Sequence, residues 1–104
     1  MLNYDWIVRN SIPHLSENEI NEKLKEIPGW VFKDNSIGKE FQLKDFKGAL
    51  AFVNKLGDEA EKMDHHPDIF IHSWNKVKIT ISTHSAGGVT QNDFNLAKKI
   101  EEIF

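Results

Sequence analysis

Residues 45–67 read DFKGALAFVNKLGDEAEKMDHHP. Apolar side chains recur in this stretch at steps of three and four, which is the spacing of one face of an α-helix. The pattern predicts the most strongly marked helix of the chain, over residues 45–64. Two histidines follow, and Pro67 disfavours helical backbone at the residue before it. We therefore expect His66 to leave the helix that His65 closes, so that the two rings can face one cavity.

Cap and turn residues before this helix divide the N-terminal half into further elements. Ser16 and Glu19 have the spacing of a capping box, and the helix that they begin is stopped by Pro28-Gly29. Residues 30–43 alternate between apolar and polar side chains on both sides of an Asp-Asn-Ser turn, which predicts a β-hairpin. One face of its second strand is apolar except for Lys39.

The C-terminal half repeats this arrangement. Residues 69–74 and 77–83 are typical of a second hairpin, and Thr90 with Asp93 marks the capped start of a last helix. The element order is α-β-β-α-β-β-α. It indicates an α+β fold in which a four-stranded antiparallel sheet has helices packed on one face.

Length and composition restrict the class of protein. The 104 residues fit one domain, with residues 1–13 as an extended N-terminal arm that ends at Pro13. No cysteine is present, which excludes disulfides, thiolate nucleophiles and Cys-based zinc sites. A net charge of −3 argues against nucleic acid or an anionic membrane as the main partner. No secretory signal or membrane-spanning stretch is recognisable, so a cytoplasmic location is expected.

The histidines are the strongest candidates for chemistry. His65 and His66 follow one helix, and His84 follows the last predicted strand, on the same side of it as Thr80 and Ser82. Histidine changes its charge near neutral pH, so such a cluster points to general acid–base catalysis. Glu61 lies one turn before His65 and is expected to favour its charged form.

Other interpretations of these residues remain open. Asp93 is at the position where a carboxylate serves a helix N-terminus, and alone it would be structural. The three histidines with Asp93 could bind zinc or iron, although adjacent ligands followed by one on a strand are unlike the usual helical spacing. Ser82 and Ser85 flank His84 but lack the signature of a hydrolase nucleophile. His14 and His72 belong to no cluster.

Several segments together resemble one family. They are EKMDHHP at 61–67, NKV at 75–77, STH at 82–84, Gly88 and DFNLA at 93–97. Their order, spacing and residue types are similar to those of the pterin-4a-carbinolamine dehydratase family, over about 90 residues from the first helix to the end of the chain.

The resemblance implies a reaction that needs no cofactor and no metal. It is the dehydration of 4a-hydroxytetrahydropterin to quinonoid dihydropterin and water, which recycles tetrahydrobiopterin after aromatic amino acid hydroxylation. The residues that match the family motif are His65, His66 and His84 as the catalytic group, with Asp93 as the matching carboxylate and Glu61 in support. His66 is expected to act as the acid at the hydroxyl, and the other two histidines to handle the ring proton and orientation.

The chain departs from vertebrate-like members and resembles bacterial ones after the His-His-Pro. Ile69 stands near where they have an aromatic residue, which leaves Trp74, near the turn expected beside the histidines, as the nearest substitute for a wall over the pterin. The family assembles through sheet edges into dimers and through helices into tetramers, so a homodimer or homotetramer is implied, with strand 77–83 as an edge to be covered. Two alternatives follow from the same resemblance: a dimerisation cofactor of a homeodomain transcription factor, or a pterin enzyme of another pathway such as molybdopterin metabolism.

Overall fold

The computed structural model describes residues 14–104, which form three α-helices and four β-strands. In chain order these are α1 (Glu17–Leu24), β1 (Val31–Lys33), β2 (Ser36–Gln42), α2 (Phe46–Met63), β3 (Asp68–His72), β4 (Lys76–Ile81) and α3 (Gln91–Ile103). The predicted order of elements and the α+β fold are confirmed. Within residues 14–104, none of the helices has the length and apolar composition needed to span a bilayer. The predicted N-terminal arm, residues 1–13, lies outside the described residues.

Both predicted capping boxes form. Glu19 donates its backbone N–H to Ser16 Oγ at 3.2 Å, and its carboxylate accepts the N–H of Ser16 at 2.9 Å. These bonds to Ser16 lower the pKa of Glu19. At the start of α3, the carboxylate of Asp93 accepts the N–H of Thr90 at 2.7 Å. Each box satisfies backbone donors that a helix start leaves without intrahelical partners.

The sheet is antiparallel, with the strand order β1-β2-β4-β3. β4 is paired on both sides, since Ile79 lies opposite Lys39 of β2 and opposite Ile69 of β3. The prediction that strand 77–83 is an exposed edge is therefore wrong. The edges of the sheet are β1 and β3.

One face of the sheet carries the core. Alternate residues of β2 and β4 are buried there except Lys39, and α2 and α3 add further apolar side chains such as Phe52, Leu56 and Phe94. Polar and apolar residues alternate along both strands, as expected for a half-buried sheet. Within residues 14–104 no element covers the opposite face, where Phe70 of β3 is 62% exposed. The helices thus cover one face of the sheet, as predicted.

Lys39 is the one charged residue of β2 that points to the helix-covered face. Its ammonium group forms an ion pair with Glu101 of α3 and donates to the carbonyl of Pro28 at 3.3 Å. The indole N–H of Trp30 donates to the same Glu101 carboxylate at 2.9 Å. Glu101 therefore accepts from two donors that lie at the rim of the core.

Replacing Glu101 by alanine is expected to lower the free energy of unfolding by about 1–3 kcal/mol, because two partly buried donors lose their acceptor. Urea denaturation followed by circular dichroism measures this loss. Glu102→Ala is the matched control, since its carboxylate contacts only the exposed Lys99 within the described residues, and it should change stability by less than about 0.5 kcal/mol. Equal losses in the two variants would contradict the role given to Glu101.

Candidate active site

Three connections of the chain meet at one end of the sheet. β3 begins at Asp68, which lies opposite Thr80 near the end of β4, and Ile37 near the start of β2 lies opposite Ile81. The β1–β2 turn, the link from α2 to β3 and the loop after β4 consequently lie at the same end. We call this the histidine end, and it comprises residues 34–36, 64–67 and 82–88.

The link from α2 begins with a left-handed residue. Asp64 has φ 49°, its N–H donates to Glu61 O at 3.1 Å, and the N–H of His65 donates to Ala60 O at 3.1 Å. This bonding pattern is a Schellman motif, and Asp is among the few residues other than Gly that adopt such a backbone readily. The helix is thus closed by Asp64, one residue earlier than predicted, and both histidines lie beyond it.

His65 is held by a buried carboxylate. Its Nε2–H donates to Asp93 Oδ1 at 2.5 Å, and the two side chains are 13% and 0% exposed. The other oxygen, Oδ2, accepts from the hydroxyl of Thr83 at 2.9 Å and from the N–H of Thr90 at 2.7 Å. Asp93 therefore combines the structural role considered from the sequence with a direct contact to a predicted catalytic histidine.

This network connects two parts of the histidine end. Thr83 Oγ1 lies 2.8 Å from Thr90 Oγ1, and Thr83 is the residue immediately before His84. Since Nε2 of His65 is committed to Asp93, its Nδ1 is the nitrogen left to exchange a proton with another group.

His66 has a different carboxylate partner. Its Nε2–H donates to Glu61, and the side chains are 60% and 76% exposed. The expectation that Glu61 acts on His65 is wrong, because the left-handed turn at Asp64 carries His65 towards α3 and leaves His66 beside the last turn of α2. Each of the two adjacent histidines thus has its own carboxylate.

His84 starts a single 3₁₀ turn, His84–Ala86, and does not continue β4. The turn ends at Gly87, which has φ 72°, and the loop closes through Thr83 N–H to Gly88 O at 2.9 Å. The prediction that His84 lies in phase with Thr80 and Ser82 on a strand is wrong, because β4 stops at Ile81. The loop presents His84 as an exposed side chain.

The alternatives to acid–base chemistry gain no geometric support. Within residues 14–104, no three His, Asp or Glu side chains are arranged to hold a metal ion. In that part of the chain Ser82 and Ser85 make no hydrogen bond to a histidine, so the arrangement of a hydrolase nucleophile and base is not formed there.

Trp74 lies at the opposite end of the sheet from His84. It belongs to the β3–β4 turn, where Ser73 and Trp74 have φ 49° and 58°, and its side chain is 61% exposed. About 13 Å of strand separates this turn from the histidine end, so the expectation that it neighbours the histidines is wrong within one chain. His72 at the same far end donates to Glu40 at 2.5 Å, and this bond lowers the pKa of Glu40.

Two contacts at the histidine end were not predicted. Asn35 of the β1–β2 turn donates its side-chain N–H to Gly87 O at 2.6 Å, and Nδ1–H of His14 donates to Ala86 O at 3.2 Å. The β1–β2 turn and the His84 loop line an open cavity of about 280 Å³. Its lining includes Asp34, Asn35, Ser36, Ser82, His84 and Gly87. The sequence marked the Asp-Asn-Ser turn, but no local pattern pairs it with a loop some fifty residues later.

Comparison with known proteins identifies the family. The sequence pattern of the family described as Pterin 4 alpha carbinolamine dehydratase matches residues 13–103. The chain belongs to the pterin-4a-carbinolamine dehydratase family. The family assignment predicted from the motifs is thereby confirmed.

Relatives within this pterin-4a-carbinolamine dehydratase family come from distant organisms. A protein of Sulfolobus acidocaldarius is 48% identical over 89 residues, which cover 86% of this chain and 97% of that protein. A Roseiflexus sp. protein is 49% identical over 89 residues, with 86% and 95% covered. Both carry the name pterin-4-alpha-carbinolamine dehydratase as a provisional assignment.

Two solved structures share the dehydratase fold. A crystal structure from Brucella melitensis, described as a transcriptional coactivator/pterin dehydratase, has 40% identity and a TM-score of 0.82, and covers 86% of this chain and 97% of that one. A pterin dehydratase-like protein described as a RuBisCO assembly factor of the alpha-carboxysome has 20% identity and a TM-score of 0.58, with 71% and 84% covered. The second likeness concerns the fold alone.

Proposed function

We propose that the chain catalyses the dehydration of 4a-hydroxytetrahydropterin to quinonoid dihydropterin and water. The observation that carries the proposal is the buried Asp93, which holds His65 and is bonded to Thr83, the residue before His84. In a member of this family, the arrangement places a carboxylate-supported histidine beside the loop that carries a second histidine. Acid–base catalysis needs such positioned proton carriers.

The reaction requires two proton transfers and no redox partner. The bond between C4a and the hydroxyl oxygen breaks, and that oxygen leaves as water after receiving a proton. A proton on a ring nitrogen is lost to a base, so the protein ends with as many protons as it began with. Hydroxide is a poor leaving group, which makes the proton donor the more demanding of the two roles.

We assign the donor to His66 and the acceptor to His65. The Glu61 carboxylate accepts from Nε2 of His66 and so orients the ring of the proposed donor. Asp93 accepts from Nε2–H of His65, which leaves Nδ1 as the nitrogen that accepts the ring proton. His84 is exposed and starts the loop, and we assign it to substrate orientation and to sharing the ring proton.

Stopped-flow absorbance of the carbinolamine tests the proposal. Addition of the protein should accelerate decay of the 4a-hydroxy species well beyond its spontaneous rate. One quinonoid product should form for each carbinolamine consumed. We expect treatment with a chelator to leave the rate unchanged, because the histidines suffice as proton carriers. Decay at the spontaneous rate would contradict the proposed activity, and loss of activity on chelation with recovery on adding one metal would favour the metal alternative.

The same proposal extends to the pathway and the cellular location. We place the reaction in tetrahydrobiopterin recycling in the cytoplasm, with a pterin as the small-molecule substrate. Residues 1–104 are proposed to form one domain. A pterin of another pathway, such as molybdopterin metabolism, would use the same histidines. Rates measured with carbinolamines that differ at the C6 side chain would separate these cases.

A second candidate function is that of a protein-binding coactivator. The Brucella melitensis structure is described as a transcriptional coactivator as well as a pterin dehydratase. On α2 of this chain, Phe46 and Leu50 lie one turn apart and are 51% and 41% exposed. Such an apolar stripe suits a helical partner. The test measures binding of the chain to a helical segment of a homeodomain transcription factor. Loss of this binding in Leu50→Lys but not in His66→Ala would support the function. Binding that is unaffected by Leu50→Lys would contradict it.

We expect the protein to be a homodimer or homotetramer at micromolar concentration. Edge strand β3 leaves Ile69 and Phe70 37% and 62% exposed, and an uncovered edge of this kind favours pairing with another strand. Light scattering should give two or four chains per particle. His66→Ala should have the same mass, because the hydrogen bond of this side chain within residues 14–104 is to Glu61 of the same chain. A monomeric mass for active wild-type protein would contradict the assembly and leave the chemistry untouched.

A further inference from the structure

We propose that Asn35 is a positioning residue, which fixes the loop that carries His84 and thereby the orientation of that ring. The inference rests on the proposed dehydration, and it assigns a role to the β1–β2 turn, which contains none of the histidines. Asn35 contacts the loop and is not assigned a contact with the substrate.

The turn is built to hold Asn35 in this place. Asp34 and Asn35 have φ 51° and 61°, and Lys33 pairs directly with Ser36. Two left-handed residues between paired strand ends form the two-residue turn that suits the twist of a hairpin. Asn and Asp tolerate this backbone better than other side chains. The rigid hairpin thus projects the Asn35 amide towards the loop.

The loop that carries His84 is fixed at its base by backbone bonds and by a contact to the core. Its base is narrow, because Thr83 and Gly88 bond to each other, and Thr83 is fixed by Asp93 on the core side. The His84–Ala86 turn and Gly87 extend beyond this base. The 2.6 Å bond from Asn35 to Gly87 O joins the loop to the β1–β2 turn, and the bond from His14 to Ala86 O is its second tether.

Gly88 permits this contact. A Cβ atom added at Gly88 would lie 3.0 Å from Asn35 Oδ1 and 3.1 Å from His14 Cβ, which is closer than such atoms normally approach. His14 donates to Ala86 O at 3.2 Å. The absence of a side chain at Gly88 therefore lets Asn35 and His14 reach the loop carbonyls. This close approach is the steric reason for a glycine at position 88.

The test compares Asn35→Gly with Asn75→Ala. Asn35→Gly keeps the left-handed backbone and deletes the amide of the tether, whereas Asn75→Ala deletes an amide that donates to Leu43 O at 3.0 Å at the opposite end of the sheet. We expect kcat of Asn35→Gly to fall roughly tenfold or more with KM changed less than about threefold, since small displacements of a reacting group are costly. Asn75→Ala should keep the wild-type kcat. Asn35→Asp, which replaces the donor by an acceptor of the same shape, should behave like Asn35→Gly.

Imidazole signals in two-dimensional NMR separate this inference from the proposed function. In Asn35→Gly the His84 ring signals should move or broaden while those of His65 remain in place, because Asp93 still holds His65. Unchanged His84 signals, or an unchanged kcat in an active protein, would overturn the positioning role. If the wild type does not dehydrate the carbinolamine but the His84 signals respond, the proposed function fails and the tether stands.

Discussion

Asp93→Asn is expected to give a folded protein that dehydrates the carbinolamine roughly 10²- to 10⁴-fold more slowly than wild type. The amide oxygen can still accept from Thr90 N–H and the Thr83 hydroxyl, which bond Oδ2 in the native protein. The amide NH₂ then faces Nε2 of His65, which has to accept instead of donate. The ring proton moves to Nδ1, and the nitrogen proposed as base is blocked.

The accompanying loss of stability should be moderate. One hydrogen bond to a charged acceptor is weakened, which corresponds to about 1–3 kcal/mol in the free energy of unfolding. Circular dichroism and urea denaturation measure this alongside the stopped-flow rate. Asp58→Asn is the control, because it removes a carboxylate from the exposed side of α2 and should leave both quantities near wild type. A fully active Asp93→Asn protein would overturn the role given to His65.

His66→Ala is expected to lower the dehydration rate by two orders of magnitude or more, the range for losing a positioned proton donor. The physical reason is that the leaving hydroxyl loses its acid, while Glu61 is left without its imidazole partner on the surface. Glu61→Gln should lower the rate less, since the amide oxygen can still accept from His66 and orient the ring. Adding Glu61→Gln to His66→Ala should cost little more, because the two act as one unit.

His72→Ala is the matched control for this experiment. It removes another histidine that is hydrogen-bonded to a glutamate, Glu40, but at the opposite end of the sheet. Its rate should stay within about threefold of wild type. If a folded His66→Ala protein also stays within threefold, His66 is not the acid.

Local signals were enough to predict the helices and their starts. Ser16 with Glu19 and Thr90 with Asp93 are short-range patterns whose hydrogen bonds lie within four residues, and the apolar stripe of α2 is set by its own periodicity. Such features depend on residues that are close in sequence. They formed as predicted because the tertiary packing favours the same helices as the local pattern.

The partners of the site residues depended on backbone geometry that the sequence does not display. A left-handed residue at Asp64 decides that Glu61 meets His66 and that His65 meets Asp93. A periodicity argument carried past the end of the helix paired Glu61 with the wrong histidine. The same applies to His84, because Gly87 and the Thr83–Gly88 closure end the strand alternation on which its predicted side was based.

The order of the strands in the sheet also could not be predicted from the sequence. The position of β4 inside the sheet follows from the pairing of β2 with β4, which joins residues distant in sequence. The distance of Trp74 from the histidines follows from the β3–β4 hairpin itself, whose turn lies at the other end of both strands. Hairpins can be recognised from a turn and two alternating runs. Which strands of two hairpins become neighbours is decided by packing over the whole sheet.

The pairing of β2 with β4 also bears on how the protein folds. Each hairpin can form from local contacts, but joining them sets Ile37 against Ile81 and closes a chain loop that contains all of α2. Closing a long loop costs entropy before its contacts are gained, and non-local pairing of this kind slows folding. The Asn35 tether and the open cavity need that step, since they join one hairpin to the loop after the other. A partly folded chain with separate hairpins would therefore lack the assembled site, and catalytic activity should return in refolding only with the slowest, long-range event.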